Sequence, residues 1–214
     1  VRFYDFAKGM DDIYTLSCKA VDKAGNETKS AIRFSVNRDG SAYEIDEATQ
    51  KLLEQRYIRQ PEDIVITEIN KDDLCLTEIS YSLEGKVVVL KQGSDYTIEK
   101  SGQEDQWRTY RYHIRASCFQ KEGTYVINVY SEDAANNRST NKIKTKPVIF
   151  TLDRTAPVLV VSNLEDGGKY NEETHRFTIS ARDNISLDKV AVYLDGECIH
   201  TYGKEELETT NGKL

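Results

Sequence analysis

The chain has 214 residues, of which 30% are charged and 38% hydrophobic, and its net charge is -7. That length allows one large domain or a few small ones with economical cores, and the acidic balance argues against nucleic acid or an anionic membrane as partner. No stretch approaches the apolar length of a membrane span, and the thirteen tyrosines do not fit a disordered tract.

The sequence begins mid-pattern at Val1-Arg2-Phe3-Tyr4 and reads as a piece of a longer chain. Period-2 alternation then dominates, the signal of half-buried strands. Tyr14, Leu16, Cys18 and Ala20 alternate with Thr15, Ser17 and Lys19. One helix is predicted, from Glu47 to Arg56, on the apolar Leu52 and Leu53. Further strands are predicted over Tyr110, Tyr112, Ile114, Ala116 and Cys118, over Tyr125, Ile127 and Val129, over Phe177, Ile179 and Ala181, and over Val190, Val192 and Leu194. No helices alternate with these strands, which excludes a parallel α/β fold and leaves an all-β one.

The chain repeats itself. The stretch from Ile13-Tyr14-Thr15-Leu16 to Asp22-Lys23-Ala24-Gly25-Asn26 matches that from Thr124-Tyr125-Val126-Ile127 to Asp133-Ala134-Ala135-Asn136-Asn137, with the two tyrosines 111 positions apart. Ser82-Leu83-Glu84-Gly85-Lys86 matches Tyr193-Leu194-Asp195-Gly196-Glu197 at the same spacing. The repeat predicts three segments: 1–38 as the C-terminal half of one unit, 39–155 as a complete unit, and 156–214 as the N-terminal half of a third. A unit of this length with about seven short strands fits a β-sandwich. Gly25 and Asn136 occupy equivalent turn positions and are the residue types that best tolerate positive φ. Asp22 and Asp133 open those turns, where a carboxylate can accept backbone N–H bonds. Glu84-Gly85 and Asp195-Gly196 read as tight hairpin turns.

Ala20-Val21-Asp22-Lys23-Ala24-Gly25-Asn26, the joint Asp153-Arg154-Thr155-Ala156-Pro157, and Asp183-Asn184 with Leu194-Asp195-Gly196 together resemble the tandem immunoglobulin-like repeats of Gram-positive bacterial surface proteins. The resemblance covers essentially the whole chain. It implies tandem immunoglobulin-like β-sandwiches, one complete and two partial, in an extracellular, cell-wall or cell-surface stalk or adhesin-like array. In such folds a tyrosine precedes the disulfide position of the penultimate strand by two residues. Tyr14 and Tyr125 fit that role, and Leu16 and Ile127 then stand at the disulfide positions, so the core is expected to be hydrophobic and unstapled. Cys18, Cys75, Cys118 and Cys198 are scattered, and only Cys75 and Cys118 share a unit. Cys18 and Cys118 lie on predicted apolar faces, as small buried hydrophobes would.

No residues carry a catalytic signature, and no enzyme, cofactor or resident metal is expected. There is no GxSxG, and His113, His175 and His200 are far apart. The oxygen donors Asp22, Asn26, Asp133, Asn136, Asn137, Asp153, Asp183 and Asn184 are calcium candidates by chemistry, but the preferred reading gives them to turns. Leu152-Asp153-Arg154 is similar to a cadherin interdomain motif, yet Thr155 stands where an acidic residue is expected. Asn26-Glu27-Thr28, Asn137-Arg138-Ser139 and Asn184-Ile185-Ser186 match the glycosylation acceptor pattern and read as by-products of Asn-rich turns. Trp107, with Tyr110 nearby, is the candidate for stacking on a glycan, against a simpler reading as a strand anchor.

The function expected is a non-catalytic stalk, spacer or adhesion module with a host, matrix or glycan partner. The alternative is an accessory, glycan-binding region of a secreted carbohydrate-active enzyme. The two partial units would expose apolar faces and unpaired edges, so the tail of one molecule is expected to complete the head of another, as a dimer or a head-to-tail chain.

Overall fold

A computed structural model of the protein describes residues 9–103, 106–144 and 147–214, so the opening segment Val1-Arg2-Phe3-Tyr4 lies outside the described residues. The chain is mostly β-strand with short helices. Contacts divide it into two compact units, Val1–Leu152 and Asp153–Leu214. No helix among the described residues is long and apolar enough to cross a membrane.

The described part of the first unit begins with a hairpin of β1 (Asp12–Val21) and β2 (Glu27–Val36), which among the described residues pair only with each other. It continues with β3 (Ala42–Ile45), α1 (Glu47–Gln55), β4 (Tyr57–Ile58), β5 (Ile64–Asn70), β6 (Leu74–Leu83), β7 (Lys86–Val89), β8 (Tyr96–Ser101) and β9 (Arg108–Ile114). Then come β10 (Gly123–Asp133), β11 (Arg138–Thr140), α2 (Asn141–Lys144) and β12 (Val148–Leu152). One sheet has the order β4-β12-β10-β6-β7 with β11 on β10, and the other β3-β5-β9-β8. All pairs are antiparallel except β4 with β12.

The inward side chains of both sheets build one core. Ile64, Ile66, Tyr112 and Ile114 on one sheet meet Ile79, Ile127, Val129, Val148 and Phe150 on the other, and α1 adds Leu52. Tyr125 stacks on Phe150 with centroids 5.3 Å apart, and Phe119 meets both rings edge-on. α1 starts where the Asp46 carboxylate accepts the Thr49 N–H at 2.9 Å. It stops one residue short of the expected Arg56, which turns to φ 62°.

Local sequence signals correspond to local geometry. Glu84-Gly85 (φ 50° and 78°) and Asp195-Gly196 (φ 49° and 86°) close two-residue hairpins with both central residues left-handed, as a type I′ turn requires. The Tyr14 hydroxyl donates to the Met10 carbonyl at 2.5 Å and that of Tyr125 to the Lys121 carbonyl at 2.7 Å, each four residues back.

The structure differs from expectation in where the strand over Tyr110 to Cys118 ends and in the exposure of Cys18. The strand stops at Ile114, and Ala116–Cys118 form a 3-10 turn whose first N–H is taken by Asp63. All four thiols are free, as an unstapled core requires, and Cys18 is exposed rather than buried, in a hairpin that forms a two-stranded sheet among the described residues. Leu16 in the same hairpin is exposed too, whereas its counterpart Ile127, between the two sheets of the body, is fully buried. Cys118 is half-buried, and that burial raises its thiol pKa.

The second unit has β13 (Val158–Ser162) paired with β14 (Thr178–Arg182), β15 (Lys189–Leu194) paired with β16 (Glu197–Gly203), and α3 (Lys204–Thr210). Its small core joins Ile179, Ala181, Val190 and Leu207. Residues 212–214 lie along β14, where Ala181 N–H donates to Gly212 and Ile179 exchanges both bonds with Leu214. That edge of β14 is therefore occupied, while among the described residues the sheets β13-β14 and β15-β16 remain two-stranded. β13 remains exposed along its whole length, as do Leu16, Ile32 and Phe34 of the first hairpin.

Candidate functional site

The sequence alternation positions the site. On β5 the inward residues run Ile64, Ile66, Glu68, Asn70, and on β10 they run Tyr125, Ile127, Val129, Ser131, Asp133. Both strands thus change from apolar to polar toward the same end of the core. Glu68, fully buried, accepts hydrogen bonds from Tyr112 at 2.6 Å, from Tyr43 at 3.1 Å and from Ser131. Burial, followed by the Glu68 charge, pushes both phenols well above the usual tyrosine range.

Beyond Glu68, the polar end meets the stretch 37–41 that links the first hairpin to the two-sheet body. Asn37 is buried, and its amide nitrogen lies 2.9 Å from each of Asn70 Oδ1, Asp72 Oδ2 and Asp133 Oδ2. Two protons therefore serve three acceptors. Its Oδ1 accepts the Gly40 N–H at 3.1 Å, and its carbonyl accepts from Asn137 Nδ2 at 2.8 Å. Asn70 Nδ2 donates onward to Ser41 at 2.9 Å and to Asp133 at 3.1 Å. Gly40 sits at φ 65°, and a Cβ there would lie 2.6 Å from Ser139 Oγ and 2.9 Å from Asn137 Cβ. Only glycine fits that approach.

Two further straps hold the hairpin. Asp11 accepts the N–H groups of Arg38 (2.7 Å) and Asp39 (3.1 Å) and pairs with the Arg38 guanidinium at 2.6 Å. The Arg38 N–H, more than any other contact, holds the Asp11 carboxyl below the usual range. Trp107 Nε1 donates to Asp12 Oδ1 at 2.9 Å, and the buried Lys71 ammonium sits 3.9 Å from the center of its indole ring. The indole N–H is the chief cause that lowers the Asp12 carboxyl, followed by the Ile13 N–H and, more weakly, the Lys71 charge. Between hairpin and body lies a cleft of about 380 Å³, lined by Ile13, Arg33, Phe34, Lys71, Asp72 and Arg108 among others. Its Asp73 wall is paired with Arg108 at 3.0 Å.

The structure thus gathers some candidates and separates others. Asp133 and Asn137 belong to the joint. Asp22 and Asn26 close the exposed end of the first hairpin, where Asp22 accepts from Ala24, from the Asn26 backbone and from the Asn26 amide. Asn136 supplies the left-handed turn residue at φ 65°. Asp153 opens the second unit, and Asp183, also in that unit, accepts the N–H groups of Ile185 and Ser186 at 2.8 and 2.9 Å. Tyr110 is buried, with its hydroxyl accepting the Leu74 N–H at 3.1 Å, so Trp107 and Tyr110 do not share an exposed surface. His113 faces Glu99 at 3.5 Å.

Oxygens of Asn70, Asp72 and Asp133 converge on one point, and the Asn37 amide nitrogen occupies it, 2.9 Å from each. Among the described residues, no three His, Cys, Asp or Glu side chains come together as a metal-holding group. Asn37 falls in Asn37-Arg38-Asp39-Gly40, which the sequence marks as a polar joint, whereas Asn70 and Asp72 are joint residues that sequence reasoning missed. The inward register of β5 was the available signal for Asn70.

The sequence matches no protein-family model and shows no significant similarity to a curated protein.

Proposed function

We propose that this chain is a non-catalytic spacer segment of a bacterial cell-surface protein, built of immunoglobulin-like sandwiches in tandem and divided near residues 38 and 155. The observation that carries this reading is the joint at residues 37–41. Side chains from three separate stretches, Asn37, Asn70 with Asp72, and Asp133 with Asn137, interlock there, while Asp11 and Asp12 tie the hairpin to the joint and to Trp107. Such a joint suits a stalk, because each connection must hold its angle if the array is to keep its reach. The recurring Asp-x-x-(Gly/Asn)-Asn turn and the paired two-residue hairpins support the repeat reading.

Two measurements test the proposal. An antibody raised against residues 39–155 should label intact cells of the source organism; labelling only after permeabilisation contradicts the location. The purified chain should retain no sugar on a glycan array. A saturable glycan signal lost on Trp107→Ala would replace the spacer with a binding module.

A further inference from the structure

The connection between β13 and β14, residues 163–177, closes on one histidine. His175 Nε2 lies 2.5 Å from the Asn163 carbonyl oxygen, and Nδ1 lies 3.2 Å from Glu172 Oε2. Both oxygens can only accept. A neutral imidazole has one N–H and one lone pair, so it can make one of these bonds and must turn a lone pair toward the other oxygen. The imidazolium makes both. The Tyr170 ring packs on the imidazole with centroids 4.2 Å apart, and its hydroxyl accepts the Glu165 N–H at 2.9 Å. Gly168 passes so close that a Cβ would lie 2.7 Å from the Tyr170 hydroxyl. The loop is thus folded around the Tyr170–His175 pair. The His175 side chain is 28% exposed, which leaves it open to exchange protons with water.

We propose that His175 is a proton-operated latch: as imidazolium it ties Asn163 to Glu172 and closes the loop 163–175, and on losing its proton it releases one end. The titratable groups that face the ring are the Glu172 carboxylate, as an ion-pair partner, and the Tyr170 phenol, through its ring face. The folded loop raises the imidazole pKa, chiefly through the Asn163 carbonyl and then through Glu172. A raised folded value means that closure is fully favored below the ordinary histidine value of about 6.5 and is lost as pH rises through the higher value.

The test is an NMR titration of the full chain with hydrogen exchange of the loop amides, corrected for intrinsic pH dependence. His175 should titrate above the ordinary histidine value, and protection of residues 163–175 should fall in parallel. The loss should be roughly tenfold per unit by which the closed loop raises the pKa. Glu172→Gln should bring the midpoint down. His175→Phe, which keeps a ring against Tyr170, should make loop protection independent of pH over this range. A midpoint at or below the ordinary value, loop protection that stays flat while His175 titrates, or a pH dependence that survives His175→Phe would each overturn the latch.

Discussion

Residues Asp22–Asn26 and Asp133–Asn137 close two hairpins in the same way. In each, the aspartate N–H donates to the asparagine carbonyl (3.0 and 3.1 Å), and the left-handed residue, Gly25 or Asn136, donates back to the aspartate carbonyl (3.1 and 2.9 Å). In each, Oδ1 takes two backbone N–H groups and Oδ2 takes the asparagine amide. The environments differ. Asp133 is buried, and its Oδ2 also accepts from Asn37 and Asn70, whereas Asp22 is exposed with the turn as its setting. The same five-residue motif is therefore a turn in one place and a turn plus a joint in the other. Which it becomes is decided by lone pairs that the turn leaves over and by what the fold brings to them.

The largest expected effect separates the two aspartates. Asp133→Ala removes the acceptor shared by two buried amides and should destabilise the first unit by about 2–3 kcal/mol in denaturant unfolding, since buried donors are left unpaired. Asp22→Ala removes only turn bonds in water and should cost a small fraction of that. Equal losses would mean that the joint contributes nothing beyond the turn.

Next come the left-handed residues. Asn136→Val forces a β-branched residue to positive φ and should cost roughly 1–2 kcal/mol. Gly25→Val meets the same backbone penalty with no steric neighbor within 4 Å of its Cβ, but it should leave the two-sheet body untouched. The global transition should then move for Asn136→Val alone.

Acid should act on the joint before it unfolds the core. Fold contacts lower the Asp12 carboxyl, so its contribution is present above the ordinary aspartate value of about 3.9 and is lost as pH falls through the lower folded value. Trp107 is the single tryptophan and donates to Asp12. Its emission should change in that window, and Asp12→Asn should remove the step. Asp22 is lowered too, by the Asn26 amide first, but its turn lies in a different hairpin end and should leave the tryptophan signal unchanged.

The smallest effect concerns calcium. With the Asn37 amide nitrogen at the center of the converging oxygens, chelator should leave the melting temperature unchanged for both turns. A calcium-dependent rise of several degrees, abolished by Asp133→Ala, would show that an ion displaces the amide.

What was legible in the sequence was local. The positive φ of Gly25 and Asn136, the paired Glu84-Gly85 and Asp195-Gly196 turns and the Tyr14 and Tyr125 hydroxyl bonds all depend on residues within four positions of one another. The joint is not local: Asn37 meets Asn70 and Asp133, 33 and 96 positions away, and Trp107 meets Asp12 across 95. Alternation shows which side of a strand faces in, but not which residue of another strand it will face. Glu68 shows the same limit, since its carboxylate among apolar neighbors is tolerable only because Tyr43, Tyr112 and Ser131 arrive from three other strands. The α3 segment was overlooked for another reason. Repeat symmetry assigned residues 204–210 to an N-terminal half unit of strands, whereas Lys204-Glu205-Glu206-Leu207 is locally helix-forming and Glu206 reaches back to the Gly203 N–H at 3.0 Å.

The polar joint ties the first hairpin to the two-sheet body. Residual dipolar couplings measured separately for β1–β2 and for β3–β12 test it directly. One alignment tensor should fit both sets in the natural chain, and Asn37→Ala combined with Asp12→Ala should split them into two. Independent tensors in the natural chain would contradict the claim, because the hydrogen bonds at Asn37 and Trp107 would then not hold the hairpin in place.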